Sequence, residues 1–126
     1  AMQRIWPGAV FRPAWFRPGF QKHAGATCGG VFVHASDPRV FRPLRVVLDL
    51  IRRIRNAWPR DFTWRTGAYE FVDEIPAFDL LAGGTWARDW IEADGAPGDL
   101  DALLGPQEME WEEIRRPFLM YGGDER

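Results

Sequence analysis

The sequence predicts an α+β fold: a small mixed or antiparallel sheet packed with several helices, in a single compact domain over residues 1–126. Three observations carry that prediction. Extended, aromatic-rich segments come first and helical periodicity follows, without the strand–helix alternation of a doubly wound sheet. The length of 126 residues suits one domain, which buries about two-thirds of its unfolded surface and needs no staples. Seven Trp and nine Phe supply large rings, which give a small core much of its burial and, on a surface, stack on sugars, bases or peptides.

Each element follows from local chemistry. Val10-Phe11-Arg12-Pro13-Ala14-Trp15-Phe16 is aromatic-rich but interrupted by Pro13, the mark of an edge strand or extended segment. Pro18-Gly19 bends the chain. Gly29-Gly30 then launches Val31-Phe32-Val33-His34-Ala35, the clearest strand, which Asp37-Pro38 ends with turn chemistry. Residues 43–58 form the clearest helix. Pro43 suits its first turn, and Leu44, Val47, Leu48, Ile51, Ile54 and Trp58 recur at three- and four-residue spacing as one apolar stripe. Asp49 is placed to pair with Arg52 or Arg53 one turn on, and Pro59 stops the helix.

The second half reads as helices with short strands between them. Phe62-Thr63-Trp64-Arg65 suggests a short strand, and Tyr69-Glu70-Phe71 follows a turn at Gly67. Phe78-Asp79-Leu80-Leu81 before Gly83-Gly84 reads as a short helix with a glycine stop. Thr85 suits the N-cap of a helix over 86–93 that Gly95 closes. Asp99 caps a short turn to Leu104, and Pro106 opens a last helix with Gln107, Trp111, Ile114 and Phe118 along one stripe. Pro117 ends it, leaving 118–121 extended and 122–126 as a loose tail.

The bulk properties narrow the function classes. Net charge is −2 with both signs dispersed, which is no electrostatic footprint for nucleic acid or an anionic membrane. No apolar run approaches the roughly 18 residues of a membrane helix. One cysteine excludes an internal disulfide and leaves the compartment undecided. The N-terminal residues lack the apolar h-region of a signal peptide. Ala1 ahead of Met2 reads as a cloning remnant, so Met2 is either a native start or the edge of an excised piece. There is no P-loop, no GxGxxG and no GxSxG.

One strip stands apart. Between Lys22 and His34 lie the only lysine, the only cysteine and both histidines. A structural zinc site needs four ligands, usually in tight pairs, and His23, Cys28 and His34 are three loosely spaced ones. Cys28 before Gly29-Gly30 is either a small packing residue or a thiolate near backbone amides. Strand alternation sets Phe32 and His34 on one face, where His34 is either satisfied by backbone or a pocket histidine. Glu70 lies between Tyr69 and Phe71, a setting that raises a carboxyl pKa when the rings enclose it. Glycosidases need two carboxylates facing one bond, and no local pattern guarantees that pair.

At this strip a family resemblance becomes visible. Phe16-Arg17-Pro18-Gly19-Phe20-Gln21-Lys22-His23-Ala24-Gly25, then Cys28-Gly29-Gly30-Val31-Phe32-Val33-His34-Ala35-Ser36-Asp37, resembles the C-terminal part of the NamZ/YbbC-like exo-β-N-acetylmuramidase family, long described as a domain of unknown function. Pro59-Arg60-Asp61-Phe62-Thr63-Trp64, Tyr69-Glu70-Phe71, Phe78-Asp79-Leu80-Leu81-Ala82-Gly83, Trp86-Ala87-Arg88 with Gly95, and Arg116-Pro117-Phe118-Leu119-Met120-Tyr121 continue the likeness in order over about residues 8–121. Each element is weak alone; the ordered set is specific. Gly19 stands where the family usually has Thr, Phe78 where it has Ile, and Gly84 where Ser is common. Gly19 lacks the hydroxyl that a threonine there would offer a ligand.

The resemblance implies release of N-acetylmuramic acid from peptidoglycan fragments, in a cleft between a Rossmann-like N-terminal domain and a smaller C-terminal one. It places the catalytic glutamate in the N-terminal domain, which this sequence does not contain, so no catalytic residue carries over. The implied substrate-binding residues are Phe16, Phe20, Lys22, His23, His34, Tyr69 and Glu70. The implied partners are N-acetylmuramic acid and the N-terminal domain in cis or trans, with no nucleic acid, membrane segment, cofactor or metal. A periplasmic or secreted bacterial setting follows where the chain is part of a longer protein. In an arginine-rich chain, the retained Lys22 suits the lactyl carboxylate of muramic acid, or else pins its loop to Asp37. The alternatives are a standalone sugar-binding or protein-interaction module, and a small enzyme using Glu70.

Overall fold

The computed structural model describes residues 2–121. The chain has the expected α+β composition: an antiparallel two-stranded sheet comes first, and helices follow. It divides into two compact units, Ala1–Pro43 and Leu44–Arg126.

The first unit is a hairpin with a short helical turn before it. Helix α1 (Met2–Ile5) leads to strand β1 (Ala9–Phe16), which pairs with strand β2 (Cys28–Ala35) from Ala9↔Ala35 to Phe16↔Cys28. Pro13 sits opposite Val31 inside β1. A two-stranded ribbon leaves alternate backbone groups unpaired on its outer edges, so proline is tolerated there. Strand β2 begins at Cys28, before the glycine pair rather than after it. The glycines make room for rings: a Cβ on Gly30 would lie 3.3 Å from the Phe16 ring, and one on Gly29 would lie 3.7 Å from the Trp15 indole. Gly8 is required at the base. Its φ is +78°, and a Cβ there would stand 2.6 Å from the Asp37 carbonyl oxygen. Its own carbonyl accepts the Ser36 N–H at 2.8 Å. Trp6 and Ala9 are buried beside it in sequence.

The second unit is helical. Helix α2 (Pro43–Ala57) has the expected length but not the expected inner face. Of the predicted stripe only Leu48 is buried; Leu44, Val47, Ile54 and Trp58 are 40–58% exposed. Arg45, Val46 and Asp49 are buried instead. The reason is ion pairing, expected from spacing for Asp49 and invisible to it for Arg45. Asp49 receives Arg52 and Arg53 from its own helix, and Arg45 donates to Asp101 and Glu108, far along the chain. Buried charges persist only when paired in this way.

Helix α3 (Ala77–Ala82) ends as expected at Gly83, whose φ is 72°. The Gly84 N–H closes the cap on the Asp79 carbonyl at 2.8 Å. Helix α4 (Trp86–Glu92) follows, and Thr85 makes no side-chain cap bond to it. The two helices are tied by Arg88, which grips buried Asp79 with both edges of its fork at 2.8 and 2.9 Å.

The predicted turn at Asp99 and helix from Pro106 are one helix, α5 (Pro97–Arg115), with Pro106 inside it. Pro97 occupies its first turn, and the Asp99 carboxylate accepts the Ala96 N–H at 2.8 Å. Pro106 lacks the N–H that would bond the carbonyl of Ala102, an exposed residue. A 3₁₀ turn at Arg116–Phe118 contains Pro117 and hands over to extended backbone at Leu119, as expected. The predicted tail at 122–126 lies outside the described residues.

Residues 62–65 form no strand. Side chains hold them: the Phe62 and Trp64 rings meet edge-on at 5.0 Å, Trp64 lies 4.7 Å from Phe78, and its indole donates to Glu92 at 2.8 Å. The buried apolar residues of this unit are Val46, Leu48, Ala77, Ala87, Trp90, Ile91, Leu100 and Leu104.

Candidate functional site

The hairpin register sorts the strip onto two faces. Directly opposed residues share a face, so Val10/His34, Arg12/Phe32, Ala14/Gly30 and Phe16/Cys28 line one side. Phe11/Val33, Pro13/Val31 and Trp15/Gly29 line the other. Along the first face the Phe32 ring lies 4.6 Å from the His34 ring, and the Arg12 guanidinium sits over Phe32 at 5.7 Å. Phe16 reaches across the strand gap to Gly30. Phe32 and Phe16 are about half exposed, at 52% and 55%. The opposite face exposes Trp15 at 74%.

The loop that joins the strands is knit by its own backbone. The Gly25 N–H donates to the Pro18 carbonyl at 2.9 Å and the Ala26 N–H to the His23 carbonyl at 2.9 Å. Gln21 and His23 both adopt left-handed φ, at 60° and 57°. This loop holds Phe20, Lys22 and His23, all exposed. Lys22 is not pinned to Asp37. That carboxylate is gripped by Arg39 through both oxygens, at 3.0 and 2.9 Å, and the pairing holds its pKa below the ordinary 3.8.

Cys28 and His34 stand six residues apart on one strand, about 20 Å. That separation is too long for His34 to act as a base on the Cys28 thiol. Among the described residues no group of three His, Cys, Asp or Glu is placed to hold a metal ion. No described helix is long and apolar enough to cross a membrane.

Tyr69 and Glu70 belong to the second unit. Glu70 and Phe71 form a two-residue turn, with Tyr69 and Val72 exchanging both backbone hydrogen bonds at 2.9 Å. Glu70 and Phe71 take φ of 50° and 67°, values that favour Asn and Gly. Phe71 is fully exposed, Glu70 is exposed, and Arg65 sits 5.5 Å over the half-buried Tyr69 ring. The apolar enclosure expected around Glu70 is therefore not formed by Phe71. The same unit has a recess of about 280 Å³ lined by Ile54, Trp58, Asp61, Phe62 and Thr63.

Sequence reasoning passed over Arg12 and the charge segregation. Residues 1–43 hold six Lys and Arg against one carboxylate, Asp37; residues 44–126 hold ten against seventeen. The hairpin unit is thus +5 and the helical unit −7, where the whole-chain sum suggested dispersed charge. A count by segment finds this signal, which the whole-chain sum averages away.

With the geometry in place, comparison with known proteins is informative. The chain matches the family described as exo-beta-N-acetylmuramidase NamZ, C-terminal, over residues 1–121. It is 31% identical over 115 residues to the peptidoglycan beta-N-acetylmuramidase NamZ of Bacillus subtilis (strain 168), covering 91% of this chain and 26% of that protein. In structure it is similar to a DUF1343 family protein from Bacteroides fragilis NCTC 9343, with a TM-score of 0.71 and 18% identity, over 95% of this chain and 31% of that one. This last likeness concerns the fold. The chain spans about a quarter of the length of the curated relative.

Proposed function

The chain belongs to the family of C-terminal domains of NamZ exo-β-N-acetylmuramidases, and on that premise we propose that it is the substrate-binding wall of a peptidoglycan-directed glycoside hydrolase, without hydrolytic activity of its own. The observation that carries this reading is the hairpin: a +5 unit whose exposed surface offers Phe16 and Phe32 on the face of Arg12 and His34, and Phe20 in the loop of Lys22 and His23. Aromatic faces stack on the apolar faces of sugar rings, and cations answer a carboxylate. Muramic acid is a sugar that carries one carboxylate on its lactyl ether, so both halves of that chemistry have a counterpart.

No acid/base pair is assigned to the hairpin unit. Glycoside hydrolysis uses two carboxyl groups about 5–9.5 Å apart across the scissile bond. The hairpin unit has Asp37 alone, committed to Arg39. Phe16, Phe20, Lys22, His23 and His34 are the proposed sugar contacts there; Tyr69 and Glu70 are proposed contacts of the helical unit, considered by itself. The catalytic glutamate is assigned to a Rossmann-like domain supplied in cis or trans. Exposed apolar residues of α5 and the 3₁₀ turn, Trp111, Ile114 and Phe118 at 51–79%, are surface that a further domain would cover.

The test is an amide NMR titration of the 126-residue chain with methyl N-acetyl-β-muramide to about 10 mM, a range that captures millimolar binding. Perturbations concentrated in β1, the loop and β2 are expected. A spectrum unchanged at the highest sugar concentration contradicts the substrate-binding role.

A further inference from the structure

We propose that Arg12, rather than Lys22, reads the carboxylate of the bound sugar; the inference rests on the substrate-binding reading above and assigns its specificity residue. Three cations in the first unit, Arg4, Arg12 and Lys22, make no hydrogen bond or ion pair among the described residues. Arg17 is spent on the Gly25 carbonyl, Arg39 on Asp37, and Arg42 on the Arg39 and Phe41 carbonyls. Of the three with unengaged donors, only Arg12 stands on a strand, on a face that also carries exposed rings.

Its setting is prepared for a planar anion. The register puts Arg12 opposite Phe32, and the guanidinium rests 5.7 Å over that ring. Phe32 in turn packs 4.6 Å from His34. The stacked ring restrains the long side chain, so less rotamer freedom is lost when a ligand binds. The guanidinium edge keeps its N–H fork for a carboxylate, which it matches in two parallel hydrogen bonds. A lysine on a loop offers a mobile point charge and no such geometric match. No carboxylate of the unit competes, since Asp37 is taken by Arg39. His34, on the far side of Phe32, adds a second polar edge for the sugar's hydroxyl or amide groups.

The sugar therefore lies along the Phe16–Phe32 side of the hairpin with its lactyl group at Arg12. An acidic sugar is preferred over its neutral counterparts because of one residue. The preference expected from a charge-assisted bidentate contact on an exposed face is about tenfold.

The test compares methyl N-acetyl-β-muramide with its lactyl methyl ester and with methyl N-acetyl-β-glucosaminide. Affinities are read by NMR titration for the parent chain and for Arg12→Gln, Arg12→Lys and Lys22→Gln. The parent is expected to favour the acid about tenfold over the ester, with the Arg12 Nε–H signal shifting on binding. Arg12→Gln is expected to erase that preference while ester affinity stays within about twofold of the parent. Arg12→Lys should keep an intermediate preference, and Lys22→Gln, at a proposed sugar contact, should weaken acid and ester alike and so keep their ratio. If Arg12→Gln retains the preference, or Lys22→Gln removes it, Arg12 is not the reader, though the sugar-binding surface stands. If the parent binds none of the three sugars, the substrate-binding reading falls and this assignment with it. Matching amide spectra for the variants away from the hairpin would show that their folds are intact.

Discussion

Replacing Gly95 by alanine should strongly destabilise the helical unit, and the effect can be worked from geometry. A Cβ at Gly95 would stand 2.2 Å from Nε1 and 2.3 Å from Cδ1 of Trp90. Ordinary carbon contact lies near 3.5 Å, so ring and backbone must separate by about 1.3 Å. Trp90 is 7% exposed and has little room to move. Its indole N–H donates to the Ala96 carbonyl at 3.3 Å, and the Arg52 guanidinium lies 5.6 Å from its ring. Overpacking of this kind costs about 1–3 kcal/mol, and the weakened hydrogen bond adds about 0.5–1.5 kcal/mol. The expected loss of about 2–4 kcal/mol lowers Tm by roughly 8–20 °C for a domain of this size. Gly98→Ala is the matched control. It lies in α5 with no atom within 4 Å of its would-be Cβ, and alanine is a better helix former by about 0.5–1 kcal/mol. Calorimetric melting should therefore move the two variants in opposite directions. A Gly95→Ala chain melting within about 2 °C of the parent would refute the packing argument.

Other perturbations have defined signs. Arg45→Met should leave stability within about 1 kcal/mol of the parent in urea melts. The charge removed is the buried one, while Asp101 and Glu108 are 68% and 52% exposed and return to water. Glu108→Gln, which leaves the buried guanidinium with weaker partners, should cost about 1–3 kcal/mol. Asp94 is held below the ordinary 3.8 by Arg52 and then Asn56, as Asp37 is by Arg39. Their contribution is thus full above pH 3.8 and drains as pH falls below it. Asp37→Asn with Asp94→Asn should flatten the loss of stability below that pH, and an unchanged acid slope would contradict the pairing. Glu70→Asn with Phe71→Gly relaxes two left-handed residues and should raise stability by about 1–2 kcal/mol in the same urea assay.

Locally encoded features were legible in the sequence. Strand β2, the span of α2, the Gly83 stop and the break at Pro117 each depend on a few neighbouring residues. The inner face of α2 was not legible: its apolar stripe points one way, while Arg45 and Asp49 are drawn inside by ion pairs, some with partners over fifty residues on. Pro106 misled because proline usually opens a helix, and here it sits inside one. For the candidate site, the family strip marked the hairpin but not its working order. Arg12 meets Phe32 only through strand register, twenty positions away, and whole-chain charge concealed the +5 unit beside the −7 one. The extension of β2 separated Cys28 from His34, which register leaves on one face and sequence proximity had grouped.

The central claim is that this chain binds a muramic acid sugar without cleaving its bond. Its most direct test is the hydrolysis of a chromogenic β-N-acetylmuramide by the purified 126-residue chain, followed at protein concentrations high enough to reveal slow turnover. The account predicts no release above buffer, together with NMR-detected binding of the same glycoside at the hairpin. Release that disappears on Glu70→Gln would contradict it and make this small chain an enzyme with its own acid.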